Sequence, residues 1–208
     1  MMNDFHFQQE EEQAALYEEE LAQIQIHKQK ISQINILLQE VSSFLGPNRS
    51  QLEGELKMNF PYGYLRTASQ FRELLSFLPE DHVRSNIAYH LILSDFYTWL
   101  VHRTNVQGTL QEMIIKNEIV IMASICETII VKVGGKGRNF AERLKKLIAK
   151  EIITVELNDN LLWLWDRRKG IHLFELDNKE FLAYSELDFQ KSKEITFSLI
   201  KTMNKNRS

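Results

Sequence analysis

Residues 161–176, LLWLWDRRKGIHLFEL, run from a dense aromatic and aliphatic stretch into Asp166, Arg167, Arg168, Lys169 and then His172. Arginine offers a planar fork of donors that matches phosphate oxygens. Histidine is the side chain that exchanges a proton near neutral pH. Together they can hold an oxyanion and take a proton from a hydroxyl. Spacing decides which arginine works with His172. On an unbroken helix Arg168 and His172 are i,i+4 neighbours on one face, whereas Arg167 and His172 lie roughly 140° apart. Gly170 sits between them and costs about 1 kcal/mol inside a helix, so a helix end or kink is expected there, and Arg167 becomes a partner as well.

The elements that must position these residues are helices. The chain has 208 residues, enough for one good core and an appendage, with only three Pro and eight Gly to interrupt long helices. Residues 4–45 contain neither, and GPN at 46–48 stops the run. Within it Tyr17, Ile24, Ile31, Leu38 and Leu45 recur every seven residues, with His27, Ile34 and Val41 three residues later. That is the a/d seam of a coiled coil, widened by Leu16, Leu37 and Phe44, and it fits either a second copy or the chain's own bundle. Residues 49–63 read as a linker, 64–78 as a short amphipathic helix, and 83–103 as a helix started by Pro79, Glu80 and Asp81. Residues 108–133 are apolar almost all round and predict the central core helix, which makes Glu127 a carboxylate in need of a partner. An ion pair with an arginine, or a place beside the Arg/His pair, would satisfy it. A helix over 140–150 follows, then IITVELNDN (152–160) with a short extended piece and Asn158 or Asp159 capping the site helix, a loop at LDNKE, and a closing helix over 185–204.

Several other chemistries are disfavoured. Cys126 stands alone in an apolar run, which rules out a disulfide framework and a zinc cluster and predicts an unreactive thiol. His82, His90 and His102 are spaced by eight and twelve residues, not the four that place two ligands on one metal, so no metal and no cofactor is expected. Asp95 on the same segment is expected to face solvent or bond a neighbour. GGKGR at 134–138 matches neither phosphate-loop pattern and follows a helix, so it reads as a helix-to-helix turn. The net charge of −3 argues against bulk nucleic-acid binding, and any such contact must be local. Lysines and arginines do gather in the second half, where most read as solvated helix faces. No signal peptide or membrane-spanning run is visible, so a cytoplasmic protein is expected.

Arg167, four intervening residues and His172, in the penultimate apolar helix of a helical chain, resemble the Arg-x4–6-His motif of the HEPN (higher-eukaryote and prokaryote nucleotide-binding) superfamily. GTLQEMIIKNEIVIMASICETIIVKV (108–133), with Glu127, is similar to that family's long second helix, FAERLKKLIAKEII (140–153) to its short third helix, and 184–203 to its closing helix. The position after the motif arginine, where many relatives carry Asn or another polar residue, is Arg168. Arg84 and His90 form a second match to the motif, with Asn86 between them, but Arg167/His172 has the matching place in the chain order.

The resemblance implies a HEPN-like helical bundle over residues 64–208; with the heptads, the chain is expected to be all-α, a bundle of about five or six helices preceded by a long coiled-coil-like helix over 1–48. It implies a homodimer in which two Arg/His sites share a cleft. It also implies a metal-independent endoribonuclease, such as the toxin or effector of a defence system, with RNA as substrate and an antitoxin or other protein as partner. His172 would act as base, Arg167 and Arg168 would hold the phosphate, and Glu127 and Asp166 would support them. The alternative is a non-catalytic helical module that binds a protein or a nucleotide, for which the heptad helix is the sequence support.

Overall fold

The computed structural model describes the backbone of the first helix, with its side chains over 13–44, and then residues 59–61, 63–135, 137–169 and 183–206. Among the described residues the chain is all-α, with no strand. It falls into two compact units, Met1–Phe60 and Pro61–Ser208. The stop at 46–48, most of the linker, Gly170, the LDNKE loop and His172 itself lie outside the described residues.

The first unit is a single helix, α1 (Met2–Leu45). Tyr17, Ile24, Ile31 and Ile34 on its seam are exposed. His27, at a d position, donates from Nδ1 to the Gln23 carbonyl at 2.8 Å, which leaves Nε2 facing outward.

The second unit contains α2 (Ala68–Leu74), α3 (Asp81–Arg103), α4 (Thr109–Gly134), α5 (Phe140–Ala149), α6 (Val155–Lys169) and α7 (Glu186–Lys205). As its all-round apolar sequence predicts, α4 is the centre, and α3, α5, α6 and α7 all pack on it. Ile119, Met122, Ile129 and Ile130 have no exposed surface. Leu161 and Leu164 of α6, with Phe189 and Leu199 of α7, close the same core. Helices α6 and α7 run antiparallel, since Arg167 near the end of one bonds Asp188 near the start of the other. At the opposite end Asn206 donates to the Ile152 carbonyl at 3.0 Å.

Two local expectations change, and one left open between two places is resolved. The helix expected over 64–78 is only the seven residues of α2, because Thr67 caps it reciprocally with Gln70 and Leu75 turns the chain out. The extended piece before the site helix is absent from Val155 on. Thr154 caps α6, its hydroxyl accepting from the Leu157 N–H at 3.1 Å, while Asn158 and Asp159 lie within the helix. The earlier start puts Leu157 on the buried face with Leu161 and Leu164, at i, i+4 and i+7. Of the two places expected for Asp95, it takes the second and bonds a neighbour. It is 7% exposed and bound by Arg66.

Candidate functional site

The C-terminal end of α6 carries the chemistry-bearing side chains, and its two arginines diverge. Successive helix positions are about 100° apart, so Arg167 and Arg168 reach different neighbours. Arg167 donates from Nη2 to Asp188 Oδ1 of α7 at 2.9 Å and lies over the rings of Trp163 and Tyr184, 5.8 Å and 5.9 Å from their centroids. Arg168 donates from Nη1 to Glu127 Oε2 of α4 at 2.5 Å and lies 5.0 Å over Trp165. Trp165 is itself stacked on Phe140 of α5, with centroids 4.6 Å apart. Each guanidinium is therefore held by one carboxylate and one or more aromatic faces, which restricts a long side chain that would otherwise be free.

The carboxylate that holds Arg167 is itself built in. Asp188 is the third residue of α7, and its Oδ2 accepts from the Ser185 N–H and hydroxyl, both at 2.9 Å, while Ser185 Oγ accepts from the Asp188 N–H. This is a reciprocal capping box. Burial pushes the Asp188 carboxyl up, but the bonds from Arg167 and Ser185, with the attraction of the guanidinium, outweigh it and hold the group below its ordinary value. Asp188 is thus an anion near neutral pH, and Arg167 keeps a charged partner.

The ion pair expected for Glu127 is present, with Arg168. Asp166 pairs with Lys169 at 2.9 Å on the exposed face of α6, so it joins neither arginine. Nothing in the second match brings its residues together either. Arg84 reaches Asp81 at 3.2 Å, and His90 donates to the Asn86 carbonyl at 2.8 Å. Cys126 is fully enclosed beside Thr196, its sulfur 3.3 Å from that hydroxyl, and burial pushes the thiol up to about 12 against the smaller opposing effect of the Thr196 bond. It cannot serve as a nucleophile. Among the described residues no group of His, Cys, Asp and Glu could hold a metal ion, and no helix is long and apolar enough to cross a membrane.

A second polar cluster, which the sequence reading missed, lies inside the bundle between α3, α4 and α7. Glu118 of α4 has no exposed surface, and its Oε1 accepts from Ser94 at 2.6 Å while Oε2 has no partner. Around it stand Asp95, held by Arg66 Nε at 2.9 Å, and Lys193 of α7, which donates to Thr98. Burial pushes the Glu118 carboxyl up to about 7, against the Ser94 bond and the attraction of Lys193, with Asp95 adding to the rise.

Comparison of the chain with protein-family models, with curated proteins and with solved structures finds no match.

Proposed function

We propose that the protein is a metal-independent endoribonuclease of the HEPN type. The observation that supports this reading best is the anchoring of Arg167 by Asp188 at 2.9 Å at the end of α6, five residues before His172. A guanidinium has five N–H donors, so one held by a single bond to a carboxylate retains others for phosphate oxygens. In the proposed reaction His172 takes the proton of a ribose 2′-OH, the resulting oxygen attacks the adjacent phosphorus, and the 5′-oxygen leaves. Arg167 holds the pentacoordinate oxyanion. Arg168 supplies further positive charge from the Glu127 side. The products are a 2′,3′-cyclic phosphate and a 5′-hydroxyl, and the role fits a cytoplasmic toxin or defence effector restrained by a protein partner. In this reading two copies pair so that their Arg/His sites share a cleft, and the exposed seam of α1 supports the association. Cleavage in EDTA that leaves cyclic-phosphate ends, and that stops in His172→Ala, is the expected result; products with 3′-hydroxyl ends would reject this mechanism.

The second reading, a non-catalytic interaction module, is favoured by the exposed apolar seam of α1. Capture of a partner that is lost in Ile24→Glu but kept in His172→Ala, with RNA left intact, would select it.

A further inference from the structure

A groove of about 530 Å³ runs along the seam between α6 and α7, a volume in the range of small-ligand sites. Its walls carry the amides of Asn160 and Gln190, the ammonium of Lys191 and the carboxylates of Glu156 and Glu194, over an apolar floor that includes Leu157. The groove is joined to the arginine site through one ring. Lys191 Nζ lies 4.2 Å from the centroid of Trp163, and Arg167 lies over the same ring. Going down α7 from the level of Asp188 at about 1.5 Å per residue, a chain held at Arg167 meets Lys191 after about one turn and Glu194 after about two.

We propose that this groove binds a base of single-stranded RNA next to the phosphate held at Arg167, and that it prefers a base with an exocyclic amino group. The inference rests on the endoribonuclease reading and adds the specificity-determining residues. Cations stand at the Arg167 and Lys191 end, where a phosphate belongs. Asn160 and the carboxylates of Glu156 and Glu194 stand beyond them, where a base edge belongs, with Gln190 beside Lys191. Asn and Gln can pair with a base edge, and a carboxylate accepts from an amino group such as cytosine N4. Uracil has a carbonyl there, which two carboxylates repel. The apolar floor of Leu157 and Ile195 supports the base.

The test uses the full chain and two short fluorescent single-stranded probes, an oligocytidine and an oligouridine, both 2′-O-methylated so that no 2′-OH can attack. The oligocytidine is expected to bind about tenfold more tightly, within the range that one base-edge contact discriminates. Glu194→Gln, which replaces one acceptor oxygen by a donor, should abolish that preference, and Asn160→Ala with Gln190→Ala should weaken both probes. These side chains line an open groove, so melting curves are expected to stay unchanged. Equal binding of the two probes, no saturable binding, or affinities unaffected by the three substitutions would overturn the proposal. If RNA is cut in EDTA with the same pattern by wild type and Glu194→Gln, the groove proposal falls and the nuclease stands. If the probes show groove-dependent preference while unmodified RNA stays intact, the nuclease reading falls instead.

Discussion

Arg167 and Asp188, 21 residues apart in the chain, meet at 2.9 Å because α6 and α7 run antiparallel and the capping box of α7 aims the carboxylate at the end of α6. One side chain thus starts a helix and orients a guanidinium. Asp188→Ala is expected to cost about 1–2 kcal/mol, mainly from the lost cap with a smaller share from the part-exposed ion pair, which is about 2–8 °C in Tm for a chain of this size. Asp188→Asn should keep much of the stability yet lower kcat more than it raises KM, because Arg167 loses its charged anchor. An unchanged kcat would separate the cap from the site.

Arg168 and Glu127 tie α6 to α4, and the side chains are about a third exposed. Such a pair contributes about 1 kcal/mol or less. Arg168→Ala should therefore leave the melting temperature within a few degrees of wild type while weakening RNA binding and steepening its loss with salt less than wild type does, since one phosphate contact is gone. A salt slope equal to that of wild type would remove Arg168 from the RNA-binding surface.

Glu118 gives stability a pH dependence of definite sign. The folded carboxyl keeps its proton up to about pH 7, whereas an unfolded glutamate loses it near pH 4.3, about the ordinary value. Between those values the folded state binds more protons, so stability falls as pH rises through the window, by about 4 kcal/mol at most. The carboxylates held low, such as Asp188, act in the opposite sense and lose their contribution only at more acid pH. Glu118→Gln should flatten the decline between about pH 4.5 and 7, measured by urea unfolding. An equally steep decline in the variant would assign it to other groups.

The seam of α1 predicts association. Ile24→Glu with Ile31→Glu in the full chain places charges at two a positions and should halve the mass seen by sedimentation, leaving the helical signal of residues 61–208 and its melting transition in place. A wild-type monomer over the micromolar range would count against the dimer.

How much could be read beforehand follows from how local each signal was. Helix α4 was legible because Ile114, Ile119, Ile125 and Ile130 leave it no polar face, and α7 because residues 185–204 form an amphipathic run, while its Ser185–Asp188 capping box emerged only in the fold. The start of α6 was misjudged since Asn158 and Asp159 are strong capping residues, but burying Leu157 needed the helix to begin at Val155. The arginine pair was legible by type and its partners only in part: Glu127 announced a need for a cation, whereas Asp188 gave no sign that it would meet Arg167. The Glu118 cluster was not legible at all. Arg66 and Asp95 are 29 residues apart, Ser94 and Glu118 are 24 apart, and neither spacing has a meaning until α3 and α4 pack.

The most direct measurement is cleavage of labelled tRNA and mRNA in EDTA by wild type, Arg167→Ala and His172→Ala, each with an unchanged melting curve. The account predicts cutting by wild type, loss by about a hundredfold or more in His172→Ala, and a similar loss in Arg167→Ala. Intact RNA in the presence of the wild-type protein, or equal cutting by all three proteins, would contradict it.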